Sequence, residues 1–92
     1  MIKNSLTTIG KNIDKALDYI GWTIEQLALE SKISKKTILS WMHDPNVRPH
    51  PPNLRAVANV LSAEIGRRLL PGELKDPNFE ITKLPVNQQN KS

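Results

Sequence analysis

Residues 23–44 read TIEQLALESKISKKTILSWMHD, and this stretch decides how the chain is expected to fold. Its small and apolar residues follow one another at intervals of five, five and three positions, at Ala28, Ile33, Ile38 and Trp41. This spacing suits two short helices that cross at a steep angle through a tight turn. Ser34 is a good N-cap for the second helix, and Asp44-Pro45 stops it because proline disfavours helical geometry in the preceding residue.

The net charge of the chain is concentrated in the same region. The window from residue 32 to residue 55 holds five basic residues and one acidic residue, namely Lys32, Lys35, Lys36, Arg48 and Arg55 against Asp44. The other residues carry equal numbers of basic and acidic side chains, so the formal net charge of +4 lies entirely in this window. A basic surface of this kind suits a polyanionic partner.

Length and composition limit the class of protein. With 92 residues, the chain has room for one domain with a modest core. It contains no cysteine, which excludes a disulfide framework and a thiolate metal cluster. The first ten residues, MIKNSLTTIG, lack the apolar run of a signal peptide, and no segment approaches the length of a membrane span. We therefore expect a cytoplasmic protein without a membrane segment.

The chain before residue 32 predicts two helices. Apolar residues recur every three or four positions at Leu6, Ile9, Ile13, Leu17 and Ile20. They indicate a first helix over about residues 7–20, with Gly21 as its C-terminal cap. Thr23 opens a second helix, in which Thr23 and Gln26 are placed to cap each other's amides in a capping box. This helix is expected to end near Ser31.

Two further helices are predicted after the loop at residues 45–52, which four prolines stiffen. Pro52 opens the fourth helix, whose apolar residues are Leu54, Val57, Ala58, Val60 and Leu61. Ser62 caps a short fifth helix, which Pro71-Gly72 ends. The apolar residues of the fifth helix are Ile65, Leu69 and Leu70.

The composition changes from Lys75 onward. Polar residues separate the apolar residues Phe79, Ile81, Leu84 and Val86, and the alternation is broken at Lys83. One short edge strand is compatible with this pattern, and Pro85 limits it, while the final NQQNKS is predicted to be disordered. The expected organisation is all-α, with a five-helix domain at residues 1–74 that contains the motif at 23–44. An extended C-terminal tail at residues 75–92 follows.

Residues 9–74 resemble the Xre-like family of helix-turn-helix DNA-binding domains, which includes the Cro and repressor proteins of lambdoid phages. The resemblance rests on Gly21-Trp22-Thr23, Glu25-Gln26-Leu27-Ala28, Ile33-Ser34-Lys35-Lys36-Thr37-Ile38, Trp41 and the helix at 54–61. It implies a compact, lambda-repressor-like fold of five helices. Lys32 departs from the family, which often has glycine there because the turn requires a positive φ, at a cost to lysine of about 1 kcal/mol. Ile24 also departs, since polar residues that touch phosphate are common at that position.

In such domains the second motif helix enters the major groove and its N-terminal end meets the base edges. By resemblance, the base-contacting residues are Lys35, Lys36, Thr37 and Ser40. Lysine can donate to guanine N7 and O6, and the hydroxyls can contact several bases. Cations in the first turn of a helix oppose its macrodipole, so a purely structural helix would favour acids there. The alternative is that both lysines are solvated surface residues.

Contacts to the DNA backbone are expected around this helix. By resemblance, the phosphate-contacting residues are Thr23, Ser34, His43, Arg48 and His50. Ser34 would act chiefly as a helix cap, and the amides that open the second helix could also bind a phosphate. Trp41 is expected in the core and Trp22 as a partly exposed lid over it. A metal site at His43, Asp44 and His50 is not expected, because it lacks a fourth protein ligand.

The leading interpretation is a sequence-specific DNA-binding transcriptional regulator, a repressor of bacterial or phage type, with helix 35–43 in the major groove of double-stranded DNA. One alternative is an antitoxin that binds its promoter with this domain and a toxin with residues 75–92. Another is a protein-binding module without a DNA role. Fold alone does not decide between these, but the concentrated charge favours DNA.

Neither an enzyme nor a cofactor is expected, because no constellation of residues meets the requirements of a catalytic site. A homodimer is expected, because one such domain reads too few base pairs to discriminate against a genome. The surfaces proposed for the dimer are Leu69 and Leu70 of the fifth helix and the segment at 79–86.

Overall fold

Five α-helices follow one another along residues 6–81, the part of the chain that the computed structural model describes. They are α1 (Thr8–Ile20), α2 (Ile24–Ser31), α3 (Lys35–His43), α4 (Pro51–Ile65) and α5 (Pro71–Leu74). No strand occurs within these residues. The predicted all-α class with five helices is therefore confirmed.

The ends of the first three helices form as local chemistry predicts. The hydroxyls of Thr23 and Ser34 accept hydrogen bonds from the amides three residues later, each at 3.1 Å, which satisfies amides that lack a partner inside the helix. Gly21 closes α1 in the left-handed region, at φ 75°. The predicted capping box is only half formed: the Gln26 amide donates to Thr23 Oγ1, whereas the Gln26 side chain donates from Nε2 to Glu30 Oε2 at 2.9 Å.

One hydrophobic core is shared by all five helices. α1 packs against α3, α4 and α5, and α2 packs against α3 and α4. The fully buried side chains include Ile13, Leu27, Ile38, Val57, Leu61, Leu69 and Leu74. Trp41 is also in the core, as predicted, with 3% of its surface exposed.

The segment after α4 differs from the prediction. Ser62 does not cap a helix: its Oγ donates to the Ala58 carbonyl and accepts from the Leu69 amide, both at 2.7 Å. This bond keeps Ser62 inside α4, which continues to Ile65 and ends at Gly66. The fifth helix begins at Pro71, a residue suited to the first helical position, so Pro71-Gly72 opens a helix rather than ending one. Likewise, α4 opens at Pro51 rather than Pro52.

The residues that follow α5 pack on the same body. The buried Asn12 donates from Nδ2 to the carbonyls of Leu74 and Asp76, both at 2.9 Å. Phe79 is only 4% exposed and lies in the same core. The packed part of the chain therefore continues past the expected boundary at residue 74.

The structure corrects the prediction for two residues of the proposed dimer surface. Leu69 and Phe79 are buried within the core of their own chain, so neither is exposed to a partner. Leu70 stays exposed. The part of the predicted strand that begins at Leu84 lies outside the described residues.

The backbone at the start of α1 is in direct contact with the backbone at the end of α3. The Thr7 amide donates to the Met42 carbonyl at 2.8 Å, and Thr7 Oγ1 donates to the Trp41 carbonyl at 2.7 Å. A Cβ atom on Gly10 would lie 2.4 Å from the Met42 carbonyl oxygen. Only glycine therefore permits this crossing, which fixes α3 against α1.

We predict that Gly10→Ala destabilises the protein by about 1–3 kcal/mol, because the two backbones must separate. The gain in helix propensity, about 1 kcal/mol, is smaller than the cost of displacing a packed helix. Chemical denaturation measures the difference. Gly72→Ala is the control, since a Cβ there meets nothing within 4 Å. Equal stabilities of the two variants would contradict the close crossing.

Candidate nucleic-acid interface

α2 and α3 are joined by the three residues 32–34, as in a helix-turn-helix. Lys32 adopts the left-handed conformation, with φ 63°, and its amide bonds to the Ala28 carbonyl. Ile33 then turns its side chain into the core, where it is 8% exposed. The positive φ expected at residue 32 is therefore confirmed, and a lysine adopts it.

α3 presents two different faces. Ile38, Trp41 and Met42 are at most 4% exposed and hold the helix against the core. The other side carries polar groups: Lys35, Lys36 and His43 are exposed, and Thr37 and Ser40 are half-buried. Lys36, Ser40 and His43 follow one another at helical spacing, so they lie along one face. The structure thus places all four predicted base-contacting residues on the outer surface of α3.

Hydroxyl groups in α3 are partly engaged within the helix. Ser34 Oγ lies 2.9 Å from Thr37 Oγ1 and donates to it, while the Thr37 amide donates to Ser34. Thr37 therefore keeps its own hydroxyl hydrogen for an outside acceptor. Ser40 Oγ donates to the Lys36 carbonyl at 3.0 Å. Its hydrogen is used there, so the Ser40 hydroxyl can only accept a hydrogen bond from an outside group.

The two lysines of the first turn differ in their surroundings. Lys35 Nζ forms an ion pair with Glu25 Oε2 at the start of α2. The hydrogen bond from Lys35, followed by a backbone hydrogen bond and the attraction of the ammonium group, lowers the pKa of the Glu25 carboxyl. Lys36 is exposed and takes part in neither of the two ion pairs found within residues 6–81. Lys36 is thus the more available cation.

Glu25 pairs with a residue of the candidate site, and the sequence analysis does not predict this contact. Glu25 belongs to the first motif helix and lies outside the basic window. Ten positions separate it from Lys35, and the pair forms only because the turn brings the two helix starts together. The signal in the sequence is an acid, Glu25, at the start of one motif helix and a base, Lys35, at the start of the next.

The predicted phosphate-contacting residues surround α3. Thr23 and Ser34 stand at the first ends of α2 and α3, and His43 stands at the last end of α3. Arg48 and His50 are exposed in the connection to α4. The structure therefore distributes these residues at helix ends and in one loop.

That connection is held at both ends. Asp44 Oδ1 accepts from the Asn46 amide at 2.9 Å, and the Asp44 carbonyl accepts from the Val47 amide at 3.1 Å. The His50 carbonyl accepts from two amides of the first turn of α4.

In residues 6–81, no three histidine, cysteine, aspartate or glutamate side chains are grouped to hold a metal ion.

Comparisons of the chain with protein-family models, curated proteins and solved structures find no match. The resemblance to the Xre-like family therefore stays a prediction. Among the helices described, none is long and apolar enough to cross a membrane. Support for a function therefore comes from the geometry of α2, the turn and α3.

We predict that Lys32→Gly raises the free energy of unfolding by about 0.5–1 kcal/mol. Relief of the left-handed conformation, worth about 1–2 kcal/mol, exceeds the extra freedom of glycine in the unfolded chain, about 0.4–1 kcal/mol. Lys32→Ala removes the same charge but keeps Cβ, so its stability should stay near that of the wild type. If both variants were stabilised equally, the gain in stability would come from the loss of the lysine charge and not from relief of the backbone conformation.

Proposed function

We propose that this protein is a sequence-specific DNA-binding transcriptional regulator that inserts α3 into the major groove. The observation that carries the proposal is the two-faced α3. Its buried side, with Ile38 and Trp41, fixes the helix to the body. Its outer side carries Lys36 and His43, and the helix follows a tight turn.

The dimensions and charge of α3 support this proposal. An α-helix with its side chains is about 10–12 Å in diameter, and the major groove is about 12 Å wide. The basic residues of the window at 32–55 are all exposed. They can therefore attract DNA without first leaving the protein interior.

Each group on α3 would have a distinct role. Lys36 would donate to guanine N7 or O6, and Thr37 would contact a neighbouring base. Ser40 would accept a hydrogen bond from an amino group of adenine or cytosine, since its own hydrogen is bonded to the Lys36 carbonyl. His43 at the last turn of α3 and Arg48 in the connection that follows would bind phosphates. The first amides of α2 beside Thr23 would bind another.

Regulation would follow from occupying an operator, which blocks or recruits polymerase. Related proteins bind as two-fold dimers to half-sites about one helical turn apart. The expected homodimer stays a prediction, and Leu70, 52% exposed, is an apolar residue of its proposed surface that lies open within residues 6–81. The antitoxin alternative also stays a prediction, because residues 82–92 of its toxin-binding tail lie outside the described part.

A protein-binding module is the second candidate. The observation in its favour is Leu29, which is 71% exposed beside the turn. A single exposed leucine is ordinary on protein surfaces, whereas contiguous apolar patches mark interfaces. The adjacent Glu30 and Lys32 are exposed and charged, so DNA binding is the better-supported function.

We predict salt-sensitive binding to double-stranded DNA. About five to eight phosphate contacts would lower the affinity by roughly three to four orders of magnitude between about 50 and 200 mM salt. Fluorescence anisotropy with a random-sequence duplex pool at several salt concentrations measures the slope. Absence of binding to the pool at low salt would refute the DNA-binding function and favour the protein-binding module.

We also predict different effects for two basic residues. Lys36→Ala should weaken the preferred site by about 1–3 kcal/mol and relax the preference at one base pair. Arg48→Ala should weaken all sequences about equally and reduce the salt slope by about one. Selection from random DNA, followed by affinities for single-base variants, separates the two effects. Loss of affinity in both variants with an unchanged preference would contradict the placement of α3 in the groove.

A further inference from the structure

The ion pair between Glu25 and Lys35 occupies the place where the two motif helices begin. Glu25 lies in the first turn of α2, and Lys35 is the first residue of α3. Their side chains are 65% and 49% exposed. The pair therefore lies at the surface, beside the end of α3 that would meet the base edges.

The stability of the fold does not explain why this ion pair is present. An exposed ion pair contributes little to folding, because water and salt screen it. Glu25 suits the positive end of its own helix, but Lys35 opposes the positive end of α3. A lysine at this place is better explained by a ligand than by folding, and an acid beside it lowers the attraction for any anion.

The geometry limits what Lys35 can do on DNA. An ammonium group has three hydrogens, and one of them is directed to Glu25. Two hydrogens remain, and guanine offers two acceptors in the major groove, N7 and O6. A phosphate drawn to Lys35 would also approach the Glu25 carboxylate, which is charged at neutral pH as an exposed glutamate ordinarily is.

We propose that Glu25 is a specificity-determining residue, whose carboxylate directs the Lys35 ammonium toward a guanine edge and disfavours binding to the phosphates of unrelated DNA. The inference rests on the proposed function. Glu25 would weaken binding to the phosphates of unrelated DNA more than binding to the guanine edge, and specificity depends on this difference in affinity.

The chain offers a matched control for this residue. Glu30 lies on the same helix and is exposed, and its carboxylate accepts from the Gln26 amide. Glu25→Gln and Glu30→Gln remove the same charge from α2. Only Glu25→Gln removes the ion pair of Lys35, so a difference between the variants reports on that pair and not on net charge.

The experiment measures dissociation constants of the full chain for its selected operator and for a random-sequence duplex, at about 50 and 200 mM salt. Glu25→Gln is expected to bind the random duplex about three- to tenfold more tightly at low salt. Its salt slope should steepen by about 0.9, the value for one added phosphate contact. Operator affinity should rise less, so discrimination between the two duplexes falls. Glu30→Gln should keep the discrimination of the wild type.

A double-mutant comparison tests whether Lys35 carries the effect. In a Lys35→Met background, Glu25→Gln should tighten binding to the random duplex by a smaller factor, since no lysine is released to a phosphate. An equal factor in both backgrounds would overturn the inference. So would equal effects of Glu25→Gln and Glu30→Gln. Both results would leave the proposed function intact, which fails if the wild type binds neither duplex or binds both equally.

Discussion

The hydrogen bonds of Thr7 set the position of the helix on which the proposed function depends. Thr7 caps α1 by accepting from the Gly10 amide, and it donates to the carbonyls of Trp41 and Met42. Those carbonyls belong to the last turn of α3, where no partner exists inside the helix. One residue therefore satisfies the start of one helix and the end of another, and the bare backbone at Gly10 allows the approach.

This junction determines which side of α3 faces solvent. With the last turn bound to α1, Ile38, Trp41 and Met42 are directed into the core. The outer side then faces away from the core, with Lys36 and His43 exposed and Lys35 paired with Glu25 of α2. Substitutions on the outer side leave the junction untouched, whereas a change at Gly10 moves the whole helix.

Local chemistry explains what could be predicted from the sequence. The caps at Thr23 and Ser34 depend on neighbours three residues away, and they were predicted correctly. The left-handed conformation of Lys32 was expected from the resemblance and is also confirmed. Ser62 was assigned wrongly because a serine can either cap a helix or bond back to the carbonyl four residues earlier. Its partner Leu69, seven positions away, decided the outcome.

Contacts between distant residues were not predictable in the same way. Asn12 binds carbonyls more than sixty positions away, and its amide could equally have been a surface group. Phe79 was placed in a tail, although alternation with polar residues does not reveal whether a side chain folds back on its own core. The charge of the candidate site was also overestimated, because Lys35 lies within the basic window while Glu25, its partner, precedes it.

The connection between α3 and α4 has a consequence for the rate and the entropy of binding. Hydrogen bonds order it around Asp44 and His50, and Pro45 and Pro49 restrict its backbone between them. A segment that is already ordered would lose little conformational freedom if Arg48 bound a phosphate as proposed. Its entropy is lost during folding and not during association, so an encounter with DNA would proceed without waiting for this segment to rearrange.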